Sequence, residues 1–152
     1  MFPLFFCSCF FPVKKQDDTK ANCDKTVASI AGTYSPVKFE LGTNGIFQDA
    51  TGLVESCDLD DKISLNADGT TVIQDLGIVC TPPKNSRGTW SISSSGKITI
   101  DDNNNSEPLD ISTADITSFD CSTLVLTGSG QSSPEYQFRI TLKNKHRCLQ
   151  NG

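Results

Sequence analysis

Residues 86–102 read "SRGTWSISSSGKITIDD", and this stretch decides the fold. Two arms of alternating apolar and polar residues flank the segment Ser-Ser-Gly at positions 94–96. A three-residue hairpin loop consists of a type I turn followed by a left-handed residue, a conformation that Gly96 adopts without a Cβ clash. The stretch therefore predicts a β-hairpin with one apolar and one polar face. Its register pairs Trp90 with Ile100 and Ile92 with Ile98.

The segment "DKISLNADGTTVIQD", residues 61–75, repeats this pattern around Gly69. Carrying its ladder outward brings Cys57 opposite Val79, one residue short of Cys80, so a single bulge near Gly77 would align the two cysteines. We therefore predict a Cys57–Cys80 disulfide that clamps the open end of the hairpin. The ladder also predicts Ile63 opposite Ile73, Leu65 opposite Thr71, Asp58 and Asp60 on the polar face, and Leu76 and Ile78 on the apolar face.

A third hairpin pairs "STLVLTG", residues 122–128, with "EYQFRITLK", residues 135–143. The segment "IAGTYSPVKFEL", residues 30–41, predicts the first strand, and a short strand around Leu109, Ile111 and Ile116 precedes the last hairpin. Consecutive hairpins with one apolar face must close on themselves or find a partner sheet. The sequence thus predicts an all-β fold, a single antiparallel up-and-down β-barrel of about seven to eight strands.

Composition limits the classes of partner. The chain has 152 residues and a formal net charge of −5, and no cluster of basic residues interrupts this acidic balance. Because basic residues supply most of the affinity for nucleic acids, we expect no nucleic-acid partner. The length is that of one domain, which we place at residues 28–143, followed by a tail at residues 144–152.

Seven cysteines in so small a chain indicate export to an oxidising compartment. The apolar segment "MFPLFFCSCFFPV", residues 1–13, is too short to span a membrane as a helix, and a charged tether follows it up to residue 27. Its Phe6-Cys7-Ser8-Cys9 resembles a degenerate lipobox, which makes Cys9 the candidate lipid attachment site; the alternative is an ordinary cleaved leader. Pairing among Cys23, Cys121 and Cys148 is left open, with a Cys23–Cys148 bond between the termini as one option.

The order of these motifs over residues 28–143 resembles the lipocalin-like domains of bacterial exported lipoproteins. The resemblance implies a small β-barrel, usually without enzymatic activity, at the cell envelope as an outer-membrane lipoprotein or a periplasmic protein. The motifs that carry it are Gly32-Thr33-Tyr34, Cys57, Asp68-Gly69, Cys80, Gly88-Thr89-Trp90 and the "LVLTG" strand.

The sequence offers little catalytic chemistry. Its single histidine, His146, lies in the terminal segment, so a serine or cysteine nucleophile would lack a base. The segment "DDNNNSEP", residues 101–108, begins like a calcium loop but lacks the glycine and the closing glutamate of that motif. We therefore predict that the protein is not an enzyme, has no cofactor and has no metal site.

Two functions remain. In the first, the barrel binds or carries a small hydrophobic ligand; in the second, it is a structural or protein-interaction module with a packed interior, recognised through loops 42–52 and 101–107. We expect a monomer that meets a membrane only through a lipid anchor. The interior residues that could line a ligand cavity are Trp90, Ile92, Ile98, Ile100, Tyr136 and Phe138.

Overall fold

The computed structural model describes residues 23–102, 111, 113–129 and 136–144. Within these ranges, a 3-10 turn and two four-residue helices accompany nine strands. In chain order the elements are α1 (Val27–Ile30), β1 (Gly32–Thr43), β2 (Ile46–Asp49), the 3-10 turn (Thr51–Leu53), α2 (Ser56–Leu59), β3 (Lys62–Leu65), β4 (Thr70–Gln74), β5 (Ser86–Ile92), β6 (Lys97–Asp101), β7 (Ala114–Phe119), β8 (Thr123–Ser129) and β9 (Gln137–Asn144).

Eight of these strands close into an antiparallel barrel. Strands β3 to β9 follow β1 in sequence order around the sheet, and β9 returns to pair with β1 from Tyr34 to Gly42. The predicted all-β, up-and-down barrel is confirmed. The ninth strand, β2, is an extension that pairs only with the far end of β1. Sequence reasoning missed β2, although the Asn44-Gly45 pair at its turn is a typical signal for a two-residue hairpin.

The predicted hairpin registers are confirmed. Trp90 lies opposite Ile100 and Ile92 opposite Ile98, and the β3–β4 ladder pairs Ile63 with Ile73 and Leu65 with Thr71. Both loop glycines have the positive φ that a three-residue loop requires, +85° at Gly69 and +78° at Gly96. Turn chemistry alone was therefore sufficient to set these two registers.

The core occupies the inside of the barrel. Trp90, Ile98 and Ile100 are buried in it, and Ile92 and Phe138 are half-buried and pack against it. Tyr136 was predicted to be an interior residue, and this is wrong, because its side chain is 60% exposed. The apolar alternation fails there because β9 begins only at Gln137, so Tyr136 lies outside the ladder.

One end of the barrel, which we call the closed end, is covered by α1. The helix buries Ile30 completely, and the Tyr34 hydroxyl donates a 2.6 Å hydrogen bond to the Ile30 carbonyl. A disulfide joins Cys23 to Cys121 in the β7–β8 turn, and the Cys23 N–H bonds to the Phe119 carbonyl at 3.1 Å. Of the pairings left open by the sequence, this one brings the segment before α1 onto the barrel.

The opposite end, which we call the loop end, carries longer connections. Loop 50–61 leads from β2 to β3, and loop 75–85 leads from β4 to β5. Binding surfaces are usually formed by loops at the end of a rigid scaffold, which makes this end the candidate functional site. No helix in the described parts of the chain has the length and apolar character needed to cross a membrane.

Candidate functional site

Loops 50–61 and 75–85 are joined by the predicted Cys57–Cys80 disulfide, whose Cα atoms are 5.3 Å apart. The predicted extension of the β3–β4 ladder up to this bond is wrong, however. The β3–β4 ladder ends where Lys62 faces Gln74, and Cys57 lies in α2 instead of an extension of β3. The disulfide therefore links a short helix to a loop, and the proposed bulge at Gly77 does not exist.

Loop 75–85 turns away from the barrel after β4. Gly77 has a φ of +70°, and the space that a Cβ would fill there is occupied by the Asp60 carboxylate. Ile78, predicted to face the core, is 60% exposed. A glycine at positive φ with a carboxylate against it is the physical reason that the strand does not continue.

The Asp75 carboxylate organises the rest of loop 75–85. It accepts hydrogen bonds from the backbone N–H groups of Cys80, at 3.2 and 3.1 Å to its two oxygens, and of Lys84, at 2.7 Å. The Asp75 N–H in turn donates to the Asn85 side chain at 3.1 Å. Because no strand pairs with these backbone donors, the carboxylate supplies the acceptors that they need in a buried position.

Asp60 and Asp61 hold the first part of the same loop. Asp60 Oδ2 accepts the Ile78 N–H at 2.7 Å, and the Asp61 carboxyl accepts the Leu76 N–H. Asp60 is half-buried and Asp61 is buried. The acidic run after Cys57 is thus a set of acceptors for loop 75–85, where the sequence had predicted a strand with a solvated polar face.

Asp58 is buried as well, which contradicts its predicted place on the polar face. It lies in α2 and forms an ion pair with Lys84, whose Nζ is 3.1 Å from Asp58 Oδ1 and 3.0 Å from Glu55 Oε2. The hydrogen bonds to Glu55 and then to Asp58 raise the pKa of Lys84 above its ordinary value. The ammonium group of Lys84 therefore stays charged and compensates the negative charges of Glu55 and Asp58.

Five acidic side chains meet at this place, and we call them the acidic cluster: Glu55, Asp58, Asp60, Asp61 and Asp75. Among the described residues, Lys84 is the cation that forms ion pairs with this cluster. Burial, followed by the negative charges of Asp75, Asp58 and Asp60, raises the pKa of Asp61 to about 6. The Leu76 N–H opposes this shift without cancelling it.

The pKa of Asp61 gives a testable pH dependence. Because the folded pKa of about 6 exceeds the unfolded value near 3.9, the folded state binds a proton more tightly, and stability falls as the pH rises from about 4 to about 6. Asp61→Asn is therefore expected to stabilise the protein at pH 7.5, by roughly 1 kcal/mol, since the cluster borders solvent. Urea unfolding followed by circular dichroism measures this difference.

The gain from Asp61→Asn should shrink below pH 4, where both side chains are uncharged. Asp24→Asn serves as the control, because Asp24 is exposed and outside the cluster, and it should change stability little at either pH. A loss of stability at pH 7.5 for Asp61→Asn would contradict the assignment.

A small apolar cleft lies beside the cluster, between β1, β9 and loop 50–61. Its volume is about 20 Å³, and its apolar walls are formed by Pro36, Phe39, Val54, Leu59 and Ile140. Thr51 anchors the loop over this cleft, since its Oγ1 accepts the Phe39 N–H at 3.0 Å and donates to the Phe39 carbonyl at 3.2 Å. A space of this size holds one or two water molecules.

The loop end also exposes large apolar side chains. Leu53, in the 3-10 turn, is 78% exposed, and Ile78 and Val79 are exposed beside the Cys57–Cys80 bond. On the β1–β2 hairpin Ile46 is exposed as well. Acidic and apolar groups are therefore presented together by the two disulfide-linked loops.

Among the described residues, one group of four side chains has its potential ligand atoms close enough together to surround a metal ion: Glu55, Cys57, Asp58 and Cys80. Its two sulfurs are bonded to each other, and its two carboxylates hold the Lys84 ammonium. In the disulfide-bonded protein, the ligand atoms of these four residues are therefore already engaged in other bonds.

Several sequence-predicted positions lie outside the described residues. These are Cys9, His146, Cys148, Leu109 and residues 103–107. The residues that sequence reasoning missed are Asp75 and Lys84, and the signal available was the dense acidic run next to Cys57.

The fold and the site together define a disulfide-bonded, closed antiparallel β-barrel with an acidic loop end. The two disulfides indicate an oxidising, non-cytoplasmic environment. No protein-family model matches the chain, and no curated protein matches it either.

Proposed function

We propose that this protein is an exported structural or protein-interaction module that acts through its loop end, with a barrel interior filled by its own side chains. The observation that carries the proposal is the packing of the core. Side chains from α1 and from three strands of the barrel are completely buried in one core cluster, including Ile30, Ile98, Leu124, Leu126 and Leu142. An eight-stranded barrel is just wide enough for such side chains to fill it.

The exposed groups of the loop end suggest the chemistry of the partner. Leu53, Ile78 and Val79 offer apolar contact area, and Glu55 adds negative charge on the same loops. A protein surface that combines basic and apolar side chains would complement this end. The loops are tied together by the Cys57–Cys80 bond, so little ordering would be required on binding.

The cellular location of the protein is part of the same proposal. A lipid attached to Cys9 would hold the barrel at a bacterial cell envelope, with the lipocalin-like resemblance as support. Mass spectrometry of protein isolated from its native host tests this, since a diacylglyceryl group on Cys9 is the expected result. An intact Met1 in the mature protein would contradict it.

Carriage of a small hydrophobic ligand is the second candidate, and the apolar cleft under loop 50–61 is the observation that favours it. Ligand sites usually measure about 300 Å³ or more, whereas this cleft measures about 20 Å³. Carriage would therefore require loop 50–61 to move away from Phe39 and Ile140.

Native mass spectrometry of the full chain, purified from its host, separates the two candidates. For an interaction module we expect no retained hydrophobic molecule and a protein partner at fixed stoichiometry. That partner should be lost from the Leu53→Asp/Ile78→Asp variant and kept by the matched Ser94→Asp/Ser95→Asp variant, which alters the closed end. A stoichiometric hydrophobic molecule in several preparations would overturn the proposal in favour of carriage.

A further inference from the structure

The turn between β1 and β2 consists of Asn44 and Gly45. Both residues have positive φ, 53° at Asn44 and 78° at Gly45, as the two central residues of a type I′ turn require. Both are exposed, and no described atom beyond the chain neighbours lies within 4 Å of the position that a Cβ of Gly45 would take. The peptide bond between them is therefore accessible to water and to base.

An asparagine followed by glycine is chemically reactive, because glycine has no side chain to shield its amide nitrogen. The deprotonated Gly45 nitrogen can attack the Asn44 side-chain carbon Cγ. A bond forms between this nitrogen and Cγ, the Cγ–Nδ2 bond breaks, and the proton lost from Gly45 reaches the departing nitrogen through solvent, so that ammonia leaves. Water then opens the five-membered succinimide ring to aspartate or isoaspartate.

The attacking nitrogen is held by a contact from another strand. The Gly45 N–H donates a 2.8 Å hydrogen bond to Oε1 of Gln137, which lies 92 residues away at the start of β9. Gln137 is itself fixed in the sheet, opposite Gly42 of β1 on one side and Ser129 of β8 on the other. The acceptor is therefore positioned by the closed barrel.

This hydrogen bond opposes both requirements of the reaction. Deprotonation of Gly45 would break the bond and leave a negatively charged nitrogen against the carbonyl oxygen of Gln137. Ring closure also requires the peptide between Asn44 and Gly45 to rotate out of the type I′ turn, and the same bond holds it in that turn.

We propose that Asn44 is a deamidation site of this protein and that Gln137 is the positioning residue that slows its modification. The other described asparagines are not followed by glycine. Asn66 also donates from its amide to Thr70 Oγ1 at 2.9 Å, and Asn85 accepts the Asp75 N–H at 3.1 Å.

Deamidation would change the loop end in two ways. Hydrolysis converts the neutral Asn44 amide to a carboxylate, which adds negative charge beside the exposed Ile46. Isoaspartate also inserts a methylene group into the main chain of a turn that has only two residues between Thr43 and Ile46, the pair that closes the hairpin.

The test is peptide mapping by mass spectrometry after incubation of the full chain, with both disulfides intact, at pH 7.5. Digestion under mildly acidic conditions suppresses further reaction, and mapping separates Asn44 from Asn151, which is also followed by glycine. Gln137→Ala is expected to deamidate at Asn44 about two- to tenfold faster than the parent, the range for loss of one hydrogen bond. Gln137→Glu supplies a carboxylate, a stronger acceptor, and should deamidate more slowly than the parent.

Gln48→Ala is the matched control, because Gln48 is an exposed side chain of the same type in β2. It should leave the rate at Asn44 within about twofold of the parent, since the Gly45–Gln137 bond remains. Circular dichroism verifies folding, and the urea-unfolded parent gives the unrestrained rate, which should exceed the folded one. The proposal is overturned by folded parent that stays unmodified at Asn44 while the unfolded chain reacts, by equal acceleration in Gln48→Ala and Gln137→Ala, or by a faster reaction in Gln137→Glu.

Discussion

Replacing Cys23 and Cys121 together by serine is expected to cost about 4 to 5 kcal/mol of folding free energy. The two cysteines are 98 residues apart in sequence, so their bond restrains most of the unfolded barrel. Loss of the bond also releases the segment before α1. That helix covers the closed end of the barrel and contributes the buried Ile30. Urea unfolding followed by circular dichroism gives the free energy.

The second disulfide is the internal comparison for this experiment. Cys57 and Cys80 are separated by 23 residues, and by the same chain-entropy reasoning their replacement by serine is expected to cost about 3 kcal/mol. The order of the two losses is the critical result. If the Cys57/Cys80 variant proved the less stable one, the contacts of the acidic cluster would contribute more than loop closure does.

Trp90→Ala is expected to cost about 3 to 5 kcal/mol, the range for a buried aromatic residue. Trp90 is buried in the core, and its indole N–H donates a 2.7 Å hydrogen bond to the Asn66 carbonyl next to the β3–β4 turn. The substitution therefore leaves a cavity and removes a donor. Circular dichroism is again the appropriate signal, because the variant has no tryptophan.

Two further variants separate the causes. Trp90→Phe retains most of the ring but removes the donor to Asn66, and it should cost less than Trp90→Ala. Tyr136→Ala changes an aromatic residue that is 60% exposed, so its effect should stay within about 0.5 kcal/mol. A large loss for Tyr136→Ala would restore the prediction that this residue belongs to the interior.

The acidic cluster has a structural role in the loop end. Asp60, Asp61 and Asp75 each accept backbone N–H groups from loop 75–85, which has no strand partner of its own. Carboxylates satisfy such donors with short side chains, but the accumulated negative charge raises the pKa of Asp61. Loop order and charge repulsion therefore arise from the same residues.

The sequence alone determined the barrel wall. Hairpin loops with glycine at the left-handed position fix register locally, and a one-residue shift would move every apolar side chain to the wrong face. For this reason the pairing of Trp90 with Ile100 and of Ile63 with Ile73 could be predicted without any tertiary information. The Cys57–Cys80 bond was also found, although by way of an incorrect ladder.

The tertiary structure decided where the pattern ends. Cys57 and Asp58 lie in a short helix, and Tyr136 falls just before β9, because alternation carries information only while a ladder continues. The Cys23–Cys121 bond depends on the closed fold, which brings segments 98 residues apart to the same end. Asp61 and Asp75 lie directly beyond the Lys62–Gln74 pair of the β3–β4 hairpin, but the burial that raises the pKa of Asp61 depends on the folded loop end. Periodicity is a property of neighbours along the chain, whereas charge, burial and loop contacts depend on residues that only the closed fold brings together.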